Sequence, residues 1–158
     1  MKNNIAIFPG SFDPLTIGHV EIIKHTLKIF ETIIIGIGIN PKKTNMFTLD
    51  QRKKFITSCF KDDKRVIIKS YKGLTVDFCK KMKSNHIIRG IRNSNDFEYE
   101  QSIHLANTEI NHNITTIFIP SRKEHLFISS SIIKEIIINK GDLSSFIPKE
   151  IVKSIQNN

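Results

Sequence analysis

Short apolar runs alternate along the chain with longer segments in which apolar residues recur every three or four positions. The apolar runs are rich in isoleucine and predict buried strands at residues 5–8, 33–39, 65–70, 86–89 and 114–119. The helical spacing predicts six helices, near residues 20–30, 48–59, 75–83, 95–111, 129–140 and beyond Pro148. A helix therefore stands between each strand and the next.

This alternation is typical of the α/β class. Because each strand reaches the next through a helix, we expect right-handed crossovers and a parallel sheet that is covered on both faces. The pattern predicts a Rossmann-like, doubly wound five-stranded parallel sheet with helices on both faces. No repeat or linker interrupts it, which predicts a single domain over residues 1–158.

Polar and small residues follow three of the predicted strands, at residues 9–19, 40–44 and 89–96, and a fourth such segment precedes a helix at 125–131. Ligands of doubly wound sheets bind at the carboxyl ends of the strands. We therefore expect these four segments to form the functional site.

The net charge of the chain excludes few classes of binding partner. Twenty-four Lys and Arg residues against fifteen Asp and Glu residues give a net charge of +9, which suits nucleic acid, acidic membranes or phosphorylated small molecules. The lysines are spread through the chain, which is typical of a solvated surface. The arginines are few, and two of them, Arg89 and Arg92, stand three residues apart and would suit a phosphate.

Cysteine content and hydropathy bear on the compartment. Cys59 and Cys79 are too few for a disulfide framework, which favours a reducing environment. No segment approaches the roughly 20 apolar residues of a membrane span. We expect a soluble cytoplasmic protein.

The segment from Pro9 to His19 has the composition of a phosphate-binding loop. Gly10 and Gly18 allow close backbone approach, the Thr16 hydroxyl can cap a helix, and His19 stands in the first turn of that helix. An anion would meet the glycine backbone, the helix amides and the imidazole together. An ordinary turn with a surface histidine would explain a lone Gly-x-His, but not the whole string.

That string resembles the signature of the nucleotidylyltransferase superfamily, whose usual ending His-x-Gly-His appears here as Thr16-Ile17-Gly18-His19. Three further strings are similar to the phosphopantetheine adenylyltransferase family in order and spacing. They are Met46 to Leu49, Arg89 to Arg92 with Asp96 to Glu100, and Phe127 to Glu135. The resemblance covers the length of the chain.

The resemblance implies adenylyl transfer from ATP to 4′-phosphopantetheine, which gives dephospho-coenzyme A and pyrophosphate, by in-line attack without a covalent enzyme intermediate. It implies that His19 stabilises the transition state at the α-phosphate, that Lys43 bridges the two substrates' phosphates, and that Arg92 holds the leaving phosphates. It also implies Mg²⁺ held mainly by ATP phosphates and water, with no protein metal ligand. A homohexamer inhibited by coenzyme A is implied too, with neither nucleic acid nor membrane as a partner.

The resemblance also implies which residues bind the acceptor and which bind ATP. For the acceptor it implies Ser11, Lys43, Leu74, Thr75, Arg89 and Asn107. For ATP it implies Ser11, Phe12, Thr16, His19, Gly90, Ile91, Arg92, Glu100, His125, Leu126, Phe127, Ile128, Ser129, Ser130 and Ser131. One departure from the family pattern stands at His125-Leu126, where an aromatic residue followed by serine is common.

Several of these residues have other interpretations. Lys43 would be an ordinary solvated lysine, with Lys42 as the alternative phosphate ligand. Arg89 and Arg92 would pair with Asp96 or Glu98 on the surface, and one serine of 129–131 would cap a helix. The remaining histidines have no motif context, and we interpret them as structural or surface residues: His86, His104 and His112.

Two other functions remain open. A sister nucleotidylyltransferase would use another phosphorylated acceptor, such as nicotinate mononucleotide or a cytidylyl acceptor. The basic charge also permits a non-catalytic nucleic-acid-binding module, although the chain shows no RNA motif and no basic stripe interleaved with aromatic residues.

Overall fold

A computed structural model describes residues 4–156. The strands β1 to β5 are Ile5–Gly10, Thr32–Gly38, Val66–Tyr71, His86–Ile91 and Thr115–Pro120. The helices α1 to α6 of the described residues are Ile17–Thr26, Leu49–Phe60, Thr75–Lys81, Ser94–Ile110, Ser130–Ile138 and Lys149–Gln156, with a 3₁₀ turn at Lys123–His125. Every predicted strand and helix is present with shifted ends. Residues 1–3 and 157–158 of the predicted 1–158 domain lie outside the described residues.

All four strand pairings are parallel, in the order β3-β2-β1-β4-β5. Ile7 of β1 lies between Ile34 of β2 and Ile87 of β4. The chain winds outward from β1 to β3 and then returns to place β4 on the other side of β1. This confirms the predicted doubly wound sheet, and it creates a crevice where the β1 and β4 connections diverge.

The strands are apolar on both sides because helices cover both faces. Phe8, Ile35 and Ile88 belong to one core cluster, together with residues of α1, α2, α5 and α6. Their sheet neighbours Ile7 and Ile34 belong to a second cluster with residues of α3. Since neighbouring strand residues point to opposite faces, continuous isoleucine runs fill both cores.

Local capping fixes where two of the helices begin. Thr16 and Thr48 each accept a hydrogen bond from the backbone N–H three residues on, and the side chain of that third residue bonds back to the cap. At Thr48 the returning side chain is that of Gln51, which accepts from the Thr48 backbone N–H at 2.8 Å. At α1 the returning side chain is His19, so the cap also sets the position of that imidazole.

Helix α4 differs from the others because its apolar residues are mostly exposed. Glu100 is its buried residue, with 8% of its surface accessible, whereas Leu105 and Ile110 are exposed. Within residues 4–156, no helix combines the length and the apolar character that crossing a membrane would need.

Candidate active site

A bipartite cleft lies at the carboxyl edge of the sheet. One part, the α4 cavity, has a volume of about 400 Å³ and is lined by residues including Tyr71, Thr75 and Asn107. The other part, the α1 cavity, has a volume of about 350 Å³ and is lined by residues including His19 and Arg92. The two cavities share a wall made by Pro9, Gly10, Ser11, Lys43, Arg89 and Glu100.

The β1–α1 loop is held in an uncommon backbone conformation at the cleft. Phe12 has a φ of 48°, a left-handed value that costs energy in a residue with a side chain. Its buried ring packs edge-on against Phe8 and His19, with ring centroids 5.4 and 5.1 Å apart. Burial of this large ring offsets the strain and fixes the loop against the imidazole.

His19 is held in one tautomer by its own helix cap. The backbone N–H of Thr16 donates to His19 Nδ1 at 3.1 Å, and the Thr16 hydroxyl lies 3.0 Å from the same nitrogen. Nδ1 is therefore an acceptor, so that Nε2 carries the proton of the neutral ring. Burial, together with the positive charges of Arg92 and Arg89, lowers the pKa of His19 to about 4. The imidazole lining the α1 cavity is thus a neutral hydrogen-bond donor.

Arg89 is fixed at the shared wall by a bidentate pair. Its Nε donates to Glu100 Oε2 at 2.6 Å, its Nη2 to Glu100 Oε1, and its Nη1 to the Pro9 carbonyl oxygen at 2.8 Å. The surface pairing of Arg89 with Asp96 or Glu98 does not form. The partner is the buried Glu100, which we expected to bind ATP and which here orients the arginine.

Arg92 does pair with Asp96, as the alternative interpretation held. Its Nε donates to Asp96 Oδ2 at 2.8 Å and its Nη2 to Oδ1 at 3.1 Å. The hydrogen bond from Arg92 is the main cause that lowers the pKa of Asp96. The same guanidinium also donates to the Ile128 carbonyl oxygen at 3.0 Å and lines the α1 cavity. Pairing therefore orients Arg92 at the cleft without removing it from a ligand's reach.

Lys43 lies on the exposed β2–α2 loop and lines both cavities. Its ammonium has no ion-pair partner among residues 4–156, so it is a charge that a bound phosphate can attract. Lys42, the alternative, lines neither cavity, although its backbone N–H donates to Asn40 Oδ1.

Asp13 joins three segments of the cleft. Its carboxylate is 2% exposed and accepts from the backbone N–H groups of Met46 and Phe47, each at 2.9 Å, and from Lys134 Nζ at 2.5 Å. Burial alone would raise the pKa of Asp13, but these hydrogen bonds outweigh burial and lower it. The β1–α1 loop is thereby tied to the loop that carries Lys43 and to α5.

Arg52 of α2 also holds the β1–α1 loop in place. It is buried on α2, and its Nη1 donates to the Ser11 carbonyl oxygen at 2.8 Å. The sequence analysis singled out neither Asp13 nor Arg52 as a site residue, because their partners lie 33 to 121 positions away for Asp13 and 41 positions away for Arg52.

The N-terminus of α5 opens toward the α1 cavity. Ser129 is the N-cap, and its Oγ accepts from the Ile132 N–H at 3.2 Å. This confirms that one of the three serines is a cap. Ser130 and Ser131 line the α1 cavity beside it, and exposed amides at a helix N-terminus attract phosphate oxygens.

The structure brings most of the predicted contacts together. The α4 cavity contains five of the six acceptor residues: Ser11, Lys43, Thr75, Arg89 and Asn107. The α1 cavity contains twelve of the fifteen ATP residues: Ser11, Phe12, Thr16, His19, Gly90, Arg92, Glu100, His125, Ile128, Ser129, Ser130 and Ser131.

Four predicted contacts line neither cavity. Leu74 is exposed at the start of α3, and Phe127 is exposed with its ring edge-on to Phe146. Ile91 and Leu126 instead line a shallower hollow beside the α1 cavity. Of the four, Ile91 and Leu126 therefore lie at the margin of the cleft.

One face of α4 contributes residues that the sequence analysis missed. His104, which we interpreted as structural or surface, lines the α4 cavity, as does Tyr99. Glu100, Ile103, His104 and Asn107 lie at helical i, i+3, i+4 and i+7 spacing. Starting from Asn107, that spacing is the signal that would have identified His104.

The acidic groups nearest the cleft are already paired. Glu100 binds Arg89, and Asp96 binds Arg92. In the part of the chain that the structure describes, no group of three or more His, Cys, Asp or Glu side chains is arranged to hold a metal ion.

The chain is similar in sequence to a known family and to curated proteins over most of its length. A family model described as cytidylyltransferase-like matches residues 7–136. A phosphopantetheine adenylyltransferase of Flavobacterium psychrophilum is 49% identical over 92% of this chain and 96% of its own length. The enzyme of that name from Clostridium tetani is 40% identical over 96% of this chain and 95% of its own length.

Solved structures share the fold at low sequence identity. A structure from Vibrio parahaemolyticus, provisionally assigned as a nicotinate-nucleotide adenylyltransferase, has a TM-score of 0.75 at 20% identity and covers 96% of this chain and 97% of its own. A bifunctional NMN adenylyltransferase/ADP ribose pyrophosphatase from Francisella tularensis, complexed with AMP and a manganese ion, has a TM-score of 0.66 at 20% identity. It covers 91% of this chain and 44% of its own.

Replacing Asp13 with Asn should destabilise the fold by about 2–4 kcal/mol, because it leaves the Lys134 ammonium and two backbone amides poorly satisfied. The lowered pKa of Asp13 means that its contribution is present above an unfolded-state pKa near 3.8. That contribution is lost as the pH falls through the lower folded value. Urea unfolding at a series of pH values should show a smaller acid-induced loss of stability for Asp13→Asn than for the wild type.

Asp63→Asn is the matched control, since Asp63 also has a lowered pKa but pairs with the exposed Arg65. It should unfold close to the wild type. Equal effects of the two substitutions would contradict the role of Asp13.

The tautomer and pKa of His19 can be read by ¹⁵N NMR of the imidazoles. We expect His19 to remain neutral with its proton on Nε2 through neutral pH and to titrate near 4. A protonated Nδ1 on His19, or a midpoint of His19 at the ordinary histidine value near 6.5, would contradict this geometry.

Proposed function

The chain belongs to the cytidylyltransferase-like family and, within it, to the phosphopantetheine adenylyltransferases, and on that basis we propose how its cleft performs the reaction. The enzyme transfers the adenylyl group of ATP to 4′-phosphopantetheine and releases dephospho-coenzyme A and pyrophosphate, a step of coenzyme A biosynthesis. The observation that supports this assignment is the shared wall of the cleft. Two cavities that meet at Ser11, Lys43 and Arg89 suit two phosphorylated substrates whose phosphates must meet.

We assign ATP to the α1 cavity and the acceptor to the α4 cavity. The α1 cavity offers Arg92, the neutral imidazole of His19 and the N-terminus of α5, which are donors for a triphosphate. The α4 cavity combines the Asn107 amide and the Thr75 hydroxyl with Tyr71 and Ile103. Such a mixed lining fits the largely neutral pantetheine arm.

The reaction is an in-line displacement at phosphorus. An oxygen of the acceptor phosphate attacks the α-phosphorus of ATP, the bond from that phosphorus to the bridging oxygen breaks, and pyrophosphate leaves with the electron pair. The attacking oxygen belongs to the substrate, so no protein nucleophile is needed. What the protein must supply is alignment and positive charge or donors at the oxygens where negative charge grows.

Three residues supply those donors in our assignment. His19 donates its Nε2 proton to an α-phosphate oxygen, a hydrogen bond that strengthens as charge accumulates there. Lys43 reaches both phosphates from the shared wall, and its unpaired ammonium becomes ordered when they bind. Arg92, oriented by Asp96 and by the Ile128 carbonyl oxygen, holds the leaving phosphates together with the amides of α5.

We propose Mg²⁺ as the cation of the reaction, held mainly by ATP phosphates and water. The donor set of the cleft fits this arrangement, because Glu100 and Asp96 are committed to arginines and Mg²⁺ often keeps most of its water while binding substrate phosphates. When bound, the ion neutralises phosphate charge and polarises the phosphoryl oxygens.

From the family resemblance we further propose the enzyme's domain organisation, its compartment, its oligomeric state and its inhibitor. The chain over residues 1–158 acts as one catalytic domain in the cytoplasm, assembles as a homohexamer and is inhibited by coenzyme A.

Pyrophosphate release by the purified protein with ATP and Mg²⁺ tests the acceptor. The parallel reactions contain 4′-phosphopantetheine, unphosphorylated pantetheine, nicotinate mononucleotide or no acceptor. We expect turnover with 4′-phosphopantetheine alone, because the attacking oxygen comes from its phosphate. Turnover with nicotinate mononucleotide instead would identify a sister transferase. Folded protein that is silent with every acceptor but binds RNA in a salt-sensitive way would identify a nucleic-acid-binding module.

His19→Ala tests the catalytic assignment. The substitution should lower kcat by about 10²–10³-fold, as expected for loss of a preorganised donor to a developing charge, and leave the ATP dissociation constant within about threefold. His112→Ala, at an exposed histidine on no cavity described here, should leave both constants unchanged. A preserved kcat with a matching loss of ATP affinity and kcat/KM would contradict the role.

A further inference from the structure

Glu21 is a nearly buried carboxylate beside the α1 cavity that the reaction does not use. It lies on α1, two residues after His19, and its side chain is 12% exposed. Its Oε2 lies 2.6 Å from His125 Nδ1, and its Oε1 contacts the Nε of Arg122. A carboxylate in such a position is costly unless it is paired, and both of its partners come from a segment more than 100 residues away.

Both partners belong to the segment between β5 and α5. His125 ends the 3₁₀ turn and Arg122 directly precedes it. The backbone hydrogen bonds of the turn run within residues 122–128, so they shape the turn without attaching it to the sheet or to α1. Glu21 attaches the turn to α1, the helix that carries His19, and Arg92 separately holds the Ile128 carbonyl oxygen at the end of the segment.

The attachment places one polar group of the turn in the cleft. His125 lines the α1 cavity with His19 and Ser129, whereas Leu126 is exposed at its margin. An ionised carboxylate can only accept a hydrogen bond, so the pair with Glu21 requires a proton on Nδ1 of His125. Nε2 is then the ring nitrogen that a ligand in the cavity can reach.

We propose that Glu21 is a positioning residue for the nucleotide: by holding His125 and Arg122, it fixes the imidazole as part of the wall against which ATP binds. The proposal rests on the proposed function, which assigns ATP to this cavity. The pairing of His125 with α1 also gives a physical role to the position where the chain departs from the family pattern.

ATP binding measured by titration calorimetry without acceptor, together with steady-state kinetics, tests the proposal. Glu21→Ala removes the acceptor for Nδ1 and should weaken ATP binding and raise the KM for ATP about tenfold, the size expected for losing one charge-assisted hydrogen bond. Glu21→Gln keeps an oxygen that can accept from Nδ1, so it should rescue part of this loss. The kcat and the KM for the acceptor should change less than about twofold.

Glu124→Gln is the matched control, because Glu124 lies in the same turn, is exposed and has no ion-pair partner among the described residues. It should bind ATP like the wild type. His125→Ala should reproduce the loss seen in Glu21→Ala, and combining the two should add little further loss, since the carboxylate acts through the ring.

Wild-type ATP affinity in Glu21→Ala, or fully additive losses in the double variant, would overturn the proposal. If Glu21→Ala does not fold, the same comparison of ATP affinities is made with Glu21→Gln, His125→Ala and the double variant that combines them. Fully additive losses in that double variant would again overturn the proposal. The proposed acceptor is tested separately: a protein that binds ATP through Glu21 but does not turn over 4′-phosphopantetheine would retain this inference and lose the proposed function.

Discussion

The cleft depends on one buried carboxylate. Asp13 accepts hydrogen bonds from the β2–α2 loop and from Lys134 of α5, so a single residue of the β1–α1 loop fixes three walls. The positions of Lys43 at the shared wall and of the α5 amides at the α1 cavity both follow from this attachment, and alignment is what phosphoryl transfer most requires.

The charged groups of the cleft divide into fixed and movable donors. Arg89 and Arg92 are each oriented by a carboxylate and a backbone carbonyl oxygen. The cap fixes the tautomer of His19, and burial with the two arginine charges keeps its ring neutral, so these donors require little reorganisation. Lys43 has no such partner among residues 4–156 and lies on an exposed loop. Oriented donors beside one unpaired cation suit the proposed reaction, because the oriented groups need not move when the substrates bind.

The sequence predicted the sheet and its helices, because strand and helix periodicity are local patterns. Most of the residues that line the cleft were expected from the family resemblance, which the loop from Pro9 to His19 and three further strings carry. It did not predict the partners that orient those residues. Glu100 rather than Glu98 pairs with Arg89 because the rotation of α4 decides which side chain faces the sheet. Most of the apolar residues of that helix are exposed, so they gave no clear signal of its inward face. The contacts of Asp13 and Glu21 span 33 to 121 positions and have no local signature.

We propose that the two cavities bind the two halves of one product across a shared wall. A crystal structure with dephospho-coenzyme A tests it most directly, since this product contains both the adenylyl group and the pantetheine arm. We expect the adenosine in the α1 cavity, the pantetheine arm in the α4 cavity, and the diphosphate linkage between Ser11, Lys43 and Arg89 within reach of His19. A product that lay wholly in one cavity, or outside both, would contradict the account.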